Sequence, residues 1–291
     1  MTLAMFFAAW LGALPAVGSQ EEAQVTWRPV SPLQGSLVVV GVRVPATDSV
    51  RVVQGELAGE PLHFELIDGW FRAIGGVPIG ARAHVRARVV IERAGGALDT
   101  LSRSVPVRLR RTPSERLRTD PAFVQPPESL APRLQAEREL VRDLKRGAHD
   151  VPRLWSDTFV PPRPGPVTSV FGMRRVFNGQ LRSRHLGADY SGRRGDSVLA
   201  TNRGVVAYVG DLYYNGTTVF LDHGAGLLTG YLHLSRVLVA AGDTVSAGQL
   251  IGLVGASGRV TGPHLHWFAS YGDVTIDPTE LLRVDLSASL P

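Results

Sequence analysis

The sequence predicts a mainly β protein in two parts, with one helix between them. Residues 24–110 contain a series of short β-type runs separated by turn residues. Residues 128–146 form one amphipathic segment whose apolar residues repeat at helical spacing. The glycine-rich stretch after Val167 again alternates strand candidates with turns. It has no helix long enough for a parallel crossover, so we expect an antiparallel sheet there.

The N-terminal segment is predicted to be an export signal. Leu3 to Val17 is almost purely apolar, and small residues follow up to Ser19. This is the pattern of a hydrophobic region before a cleavage site. The apolar run is shorter than a bilayer-spanning helix requires. We therefore expect residues 1–19 to be a signal peptide, with no stable membrane span once it is removed.

Residues 24–110 are predicted to form an immunoglobulin-like β-sandwich. Strand candidates lie at 36–44, 50–54, 63–66, 84–91 and 102–109, and apolar and polar residues alternate in 84–91. No cluster of chemically active residues occurs here. We interpret His63 and His84 as ordinary strand residues, and the domain as a spacer, an inhibitory cover or a binding module.

Residues 111–159 are predicted to be a linker that contains the helix 128–146. Leu130, Leu134, Val141 and Leu144 fall on one stripe of this helix. Prolines before it and Gly147 after it suit its two ends. Because the stripe must be buried, we expect the helix to pack on one or both domains.

Residues 160–282 are predicted to form the C-terminal domain. The strand candidates are 205–209, 217–222, 228–232, 250–254 and 265–269, followed by one helical turn at 278–282.

Composition excludes several kinds of site. The chain has no cysteine, which rules out thiolate metal sites, disulfides and thiol catalysis. A metal would be held by histidine and carboxylate. The net charge of +5 is spread along the chain, so nucleic acid is not an expected partner. One local arginine cluster is interpreted as a solvated surface, with a positive rim for an anionic substrate as the alternative: Arg174, Arg175, Arg182, Arg184, Arg193 and Arg194.

Five of the eight histidines lie between residues 185 and 266. His264 and His266 are two apart on a predicted strand, so they share a face, as metal ligands or as a solvated pair. His185 and Asp189 would lie roughly 13 Å apart on a straight strand, too far for one ion. They converge only if the chain bends at Leu186–Gly187.

Taken together, these residues favour a catalytic metal site. Two histidines and one carboxylate leave a tetrahedral zinc with one open position for water. The remaining histidines can move protons. Spacing does not decide which of His264 and His266 would bind the metal. A serine hydrolase is not favoured, because no G-x-S-x-G motif occurs.

The order of three motifs resembles the lysostaphin-type (LytM-like) zinc metallopeptidases, which cut peptide bonds in bacterial cell-wall peptidoglycan. The motifs are the segment from His185 to Asp189, the Tyr-x-His-Leu-Ser segment around His233, and His264-x-His266. The resemblance covers roughly residues 160–282, less than half of the chain.

The resemblance implies a role for each residue. His185, Asp189 and His266 match the zinc ligands, His264 the general base, and His233 the histidine that steadies the oxyanion. Many members carry an acidic residue where this chain has Phe268. His223 is interpreted as a structural residue or a neighbour of the ligands, and Asn178 and Tyr231 as substrate-side residues.

We therefore expect an exported zinc endopeptidase that hydrolyses peptidoglycan cross-link peptides. Periplasmic residence is favoured over the extracellular space, because no wall-binding repeats are recognisable. One alternative is a non-enzymatic or occluded wall-binding regulator of other wall hydrolases, and another is a general secreted protease. An activator protein as a partner and the oligomeric state stay open.

Overall fold

The computed structural model describes residues 22–45, 50–156 and 158–286, without the side chains of residues 181 and 182. The predicted signal peptide, residues 1–19, lies outside these ranges. Within them, no helix is both long enough and apolar enough to cross a membrane.

The N-terminal part is a sandwich of two four-stranded antiparallel sheets, which confirms the predicted β-sandwich. The first sheet has the order β1-β2-β6-β5 and the second β4-β3-β7-β8. The strands are β1 (Gln24–Arg28), β2 (Leu37–Arg43), β3 (Val50–Leu57), β4 (Glu60–Pro61), β5 (Glu65–Ile67), β6 (Trp70–Gly76), β7 (His84–Arg93) and β8 (Leu98–Pro106).

Strand β2 is buried on both faces, which explains its unbroken apolar sequence. Val38 and Val40 point into the sandwich core. Leu37 and Val39 point the other way, into a core shared with the C-terminal part. Neighbouring residues of a strand face opposite sides, so one strand serves two cores. The sandwich therefore packs firmly against the C-terminal domain.

Polar contacts add to this interface. Arg110 pairs with Asp277 at 2.9 Å, and Arg72 donates to the carbonyl of Leu286 at 2.6 Å. His63 lies in the loop between β4 and β5, where its Nε2 is 2.8 Å from Nδ1 of His149. The interpretation of His63 as an ordinary strand residue is wrong, because its ring stacks on a histidine that follows the helix.

The predicted linker is more structured than expected. Strand β9 (Ser114–Leu117) pairs in parallel with β11 (Arg174–Phe177), which pairs with β12 (Leu181–Arg184). The segment 114–117 is therefore part of a three-stranded sheet. A four-residue strand between prolines gives no periodic signal, and its pairing with a distant hairpin is not visible locally.

One α-helix follows, α1 (Ala131–Gly147), after two 3₁₀ turns, Pro121–Phe123 and Glu128–Leu130. It begins three residues later than predicted, since Pro132 suits only its first turn. Leu140, Val141 and Leu144 pack on a cluster that contains Phe220, Leu228 and Phe268. Val141 and Leu144 of the predicted stripe are thus half-buried on the C-terminal sheet.

The C-terminal part is built on a ten-stranded sheet whose pairings are antiparallel, as predicted. Its main order is β10-β13-β20-β17-β16-β15-β18, with β14, β19 and β21 at the side. The strands are β10 (Val167–Ser169), β13 (Ala188–Ser191), β14 (Ser197–Leu199), β15 (Gly204–Leu212), β16 (Gly216–Gly224), β17 (Leu227–Val237), β18 (Thr244–Val245), β19 (Leu250–Val254), β20 (His264–Tyr271) and β21 (Val274–Ile276). The 3₁₀ helix Pro278–Arg283 follows.

The two faces of this sheet differ: one packs in the core, and the other carries the histidines. Leu265, Trp267 and Ala269 of β20 are fully buried in the core shared with the sandwich. His264, His266 and Phe268 alternate with them and lie on the opposite face, on which α1 packs. The histidines therefore stand on a rigid strand, beside the helix.

Candidate metal centre

Strand pairing brings Asp189 and His266 together. The two residues are direct partners in the antiparallel pair of β13 and β20, and Ser191 is the partner of His264. Residues opposite each other on neighbouring strands point to the same face. Asp189 Oδ1 lies 2.8 Å from His266 Nδ1. The register of the sheet thus sets this contact.

His185 completes a triangle of donor atoms. Its Nε2 is 2.9 Å from Asp189 Oδ1 and 3.0 Å from His266 Nδ1. Its backbone is held by two hydrogen bonds, from its N–H to the Met173 carbonyl and from Gly172 N–H to its own carbonyl. His185, Asp189 and His266 form the one group within the described residues that has the spacing of a metal site.

The chain bends between His185 and Asp189 at Gly187, as the spacing required. A Cβ at Gly187 would lie 2.5 Å from His266 Nε2 and 2.5 Å from the Trp267 carbonyl oxygen. Glycine is needed here because β20 passes directly over it, and its φ is not in the left-handed region. The reason for glycine is close approach rather than backbone freedom.

Hydrogen bonds orient the ring of His185. Its Nδ1 lies 3.0 Å from the Val170 carbonyl oxygen, which can only accept, so Nδ1 carries the proton. The lone pair of Nε2 therefore faces the triangle. Metal-binding histidines are oriented by such bonds from the other ring nitrogen.

Asp189 is held by a chain of charges that the sequence did not indicate. Arg175 donates from Nη2 to Asp189 Oδ2 at 2.5 Å and from Nε to Glu115 Oε1 at 2.5 Å. Arg175 also donates to Ser169 Oγ at 2.9 Å. Glu115 belongs to β9, so the segment predicted as a linker reaches the site. Oδ2 is thus occupied, and Oδ1 alone points into the triangle.

The local electrostatics favour the protonation states that metal ligands need. Burial alone would raise the pKa of Asp189, but the close approach of the His185 and His266 rings to its carboxylate outweighs burial and lowers the pKa. Burial lowers the pKa of His266 to about 4, against the attraction of Asp189. An ionised carboxylate and a neutral imidazole therefore face each other at neutral pH.

Two further histidines lie beside the triangle with similar hydrogen bonding. His264 Nδ1 donates to the Gly262 carbonyl at 2.8 Å, and His233 Nδ1 donates to the Ser257 carbonyl at 2.8 Å. In the neutral rings, each Nε2 therefore has a free lone pair. The two ring centroids are 5.0 Å apart. Burial, followed by the charges of His266 and His264, lowers the pKa of His233 well below its usual range.

His233 has a strained backbone. Its φ is +64°, in the left-handed region, where residues other than glycine are uncommon. The residue interrupts the register of β16 and β17, and its N–H bonds to the Asn215 carbonyl. Strain of this kind is typical of functional sites, because the fold must hold such a residue in place.

These residues line one open groove of about 660 Å³. His264 and His266 are partly accessible from it, whereas His185 is buried. Among the described residues, no side chain of the sandwich, 24–110, lines this groove, and Val141 is the one contribution of α1. Neither element therefore covers the histidines.

The other candidate residues lie elsewhere. His223 is fully buried and bonds to the Arg203 carbonyl and to Thr229 Oγ1, away from the groove. Tyr231 is buried on the core face, with its hydroxyl on Thr201. Asn178 turns the β11–β12 hairpin with a φ of +49° and bonds to the backbone of Thr119. None of these three lines the groove, so the expectation of substrate contact for Asn178 and Tyr231 is not supported.

Phe268 has a packing role that explains why it is not acidic. Its ring meets Phe220 edge to face, with centroids 6.0 Å apart, in the cluster under α1. A carboxylate there would lose this ring contact and would lie half-buried beside apolar side chains, in the wall of the groove. Phe268 therefore contributes to the apolar surface on which α1 packs.

The residues of this site lie within a segment that matches a known protein family. Residues 183–278, which span the triangle and both further histidines, match the model of Peptidase family M23. The match to peptidase family M23 lies within the C-terminal domain. This agrees with the resemblance seen in the sequence motifs.

Curated proteins similar to the chain include two from Vibrio cholerae. Peptidoglycan DD-endopeptidase ShyC is 43% identical over 103 residues, which are 35% of this chain and 24% of that protein. Peptidoglycan DD-endopeptidase ShyA is 43% identical over 112 residues, 38% of this chain and 24% of that protein. The chain spans about a quarter of the length of these relatives.

A solved structure is similar over most of the chain. It is a crystal structure of a Pseudomonas aeruginosa protein assigned to peptidase M23, with a TM-score of 0.66 and 28% identity. The match covers 87% of this chain and 95% of that one. The structural similarity therefore extends well beyond residues 183–278, which match the family model.

Proposed function

We propose that the protein is an exported zinc metalloendopeptidase that hydrolyses peptide bonds in peptidoglycan cross-links. The observation that carries the proposal is the triangle of His185 Nε2, Asp189 Oδ1 and His266 Nδ1, in an open groove beside two histidines with free Nε2 atoms. The match of residues 183–278 to peptidase family M23 supports peptide hydrolysis.

The donor set fits zinc. Its edges of 2.8 to 3.0 Å are slightly shorter than the roughly 3.3 Å that bonds of about 2 Å give in a tetrahedron. Two neutral imidazoles and one carboxylate are a common ligand set of catalytic zinc, which keeps a fourth position open for water. An oxygen-rich set would instead favour magnesium or calcium.

A bound zinc ion would supply polarisation of the scissile carbonyl and a lower pKa for the attacking water. The chain's own residues handle the protons. His264 is the general base, because its Nε2 has a free lone pair and its Nδ1–H is fixed by Gly262. Its Nε2 lies 3.7 Å from Asp189 Oδ1, which puts the base next to the ligand set.

His233 takes the second role, at the developing negative charge. Its Nδ1–H is held by the Ser257 carbonyl, so Nε2 becomes a donor only when the ring gains a proton. Burial opposes that proton in the free protein. Negative charge on the substrate would favour it, so this donor acts when charge develops, as oxyanion stabilisation requires.

The substrate class rests on the relatives. ShyC and ShyA are peptidoglycan DD-endopeptidases, and a Neisseria meningitidis relative with 38% identity is a DD-carboxypeptidase/endopeptidase. The apolar segment Leu3 to Val17 supports export, and a periplasmic location would bring the enzyme to such a substrate.

The occluded-regulator alternative is less well supported. The described sandwich contributes no side chain to the groove, and α1 lies at its edge. The two histidines beside the triangle would have no use in a protein that only binds.

Digestion of a purified peptidoglycan dimer by the protein from residue 22 onwards tests the proposal, with casein as the comparison substrate. We expect conversion of the dimer to monomers and little cleavage of casein. Equal cleavage of both would favour a general protease. A protein that contains zinc but leaves both substrates intact would contradict the enzyme assignment.

A further inference from the structure

Arg259 stands in the wall of the groove, five residues before His264 in the loop between β19 and β20. Its guanidinium carbon lies 4.6 Å from the ring centroid of Phe177 and 4.8 Å from that of Tyr214. Its backbone N–H donates to the Tyr214 carbonyl at 2.9 Å. The two rings come from different hairpins, so the guanidinium is stacked between aromatic side chains of two separate elements.

The Arg259 guanidinium has no acidic partner. Within the described ranges it contacts the two rings and makes no hydrogen bond or ion pair. Glu115 and Asp189 are the acidic residues that line the described groove, and Arg175 binds both. Arg259 therefore leaves a positive charge without a protein counter-charge.

Placing a charged side chain between the Phe177 and Tyr214 rings has an unfavourable free energy of desolvation. Burial lowers the pKa of Arg259, which reflects the cost of holding the charge there, although arginine stays protonated at neutral pH. Methionine would pack between two rings without that cost. The charge itself is therefore the property that needs an explanation.

Stacking also prepares the group for binding. Ring contacts hold the guanidinium by its faces and leave the N–H groups at its edge free. That edge matches a carboxylate in a two-point hydrogen bond, which is stronger than a neutral one. The rings fix the orientation in advance, so little side-chain entropy is lost on binding.

We propose that Arg259 forms a carboxylate subsite, which binds a free carboxylate of the peptide substrate close to the scissile bond. The inference rests on the proposed function, since it names a feature of the substrate in the same groove. Among the groups of a peptide, only carboxylates carry the negative charge that this subsite would neutralise.

The alternative is a purely structural role, in which Arg259 holds the hairpins of Phe177 and Tyr214 together. The two roles predict different kinetics. A structural pin affects all substrates alike, whereas a subsite discriminates between substrates that differ only in the carboxylate.

The test uses synthetic cross-link peptides in which one carboxylate flanking the scissile bond is replaced by a carboxamide, on each side in turn. For the zinc-loaded protein we expect one replacement to lower kcat/KM by about 10- to 100-fold, as for hydrogen bonds between charged groups. Arg259→Met keeps the packing. In this variant the ratio of kcat/KM for the carboxylate peptide to kcat/KM for the carboxamide peptide should fall to about 1. Arg259→Lys should keep part of it.

Arg236→Met removes one exposed positive charge outside the groove and should keep the full ratio. Zinc content and melting temperature are measured for every variant, so that unfolding is not mistaken for lost discrimination. Equal rates on carboxylate and carboxamide peptides by the unmodified protein would overturn the subsite. An unchanged ratio in Arg259→Met would do the same. Failure to cleave any of the peptides would instead count against the proposed function.

Discussion

Asp189 and His266 lie directly opposite each other on β13 and β20, with Oδ1 and Nδ1 2.8 Å apart. Two of the three candidate ligands are thus joined by strand register. A slip of β13 by one residue would turn Asp189 into the core that now holds Tyr190 and would separate it from His266. The candidate metal site is therefore as well defined as the sheet itself.

Gly187→Ala should impair the site. The added methyl group would meet His266 Nε2 and the Trp267 carbonyl at 2.5 Å, and the carbonyl cannot move without disturbing β20. We expect metal affinity to fall at least tenfold, with a lower melting temperature. Gly80→Ala is the matched control, because a Cβ there meets nothing within 4 Å. Equal metal affinity in the two variants would show that the close approach is unimportant.

Arg175→Met should weaken metal binding. Arg175 holds Asp189 Oδ2, and loss of such an outer partner typically costs 10- to 100-fold in metal affinity. Competition with a chromogenic chelator measures this without any substrate. Arg174→Met, an exposed neighbour on the same strand, should bind metal as tightly as the unmodified protein. If both variants bind equally well, Arg175 does not position the ligand.

His264→Ala and His266→Ala should separate base from ligand. The first variant should retain the metal and lose turnover by about 100-fold or more, the contribution expected of a general base. The second should lose metal and turnover together. Metal analysis of the folded variants, alongside turnover, makes the distinction. If His264→Ala emptied the site and His266→Ala did not, the two roles would have to be exchanged.

Stability should fall in mild acid through His223. Burial lowers its pKa to about 4, against the hydrogen bond to the Arg203 carbonyl that raises it. In the unfolded chain His223 is protonated near pH 6.5, whereas in the folded protein it is protonated only near pH 4. The contribution of neutral His223 to the free energy of unfolding should therefore be greatest above pH 6.5. It should decline below that pH, by about 3 kcal/mol at most.

His223→Gln isolates this effect. The variant should be less stable at pH 7.5, because it loses hydrogen bonds to Arg203 and Thr229, yet its stability should depend less on pH. Urea unfolding at pH 7.5 and pH 5 measures both quantities. Other titrating groups are common to the two proteins, so the difference belongs to His223. Identical pH dependence would mean that His223 is not held neutral.

The sequence predicted the elements whose signal is local. Alternating runs predicted the sandwich, and the strands 250–254 and 265–269 lie within β19 and β20. The bend at Gly187 followed from the distance that a straight strand would impose. The choice of His266 over His264 as a ligand came from the family resemblance, and the facing of His266 and Asp189 agrees with it.

The residues that were missed depend on distant pairing. Glu115 reaches the site only because β9 pairs with β11, which is 60 residues away along the chain. Arg175 looked like one of several surface arginines, and nothing local marked it as the partner of Asp189. His63 meets His149 only through the contact between domains. Such contacts follow from the fold and not from composition or periodicity.

The most direct test of the account is a zinc titration of metal-free protein, with cleavage of a peptidoglycan dimer as the readout. We predict no cleavage before zinc is added, a linear rise, and a plateau at about one zinc per chain, which is the capacity of the triangle of His185, Asp189 and His266. Full cleavage by metal-free protein, or a folded protein that binds no zinc, would contradict the account.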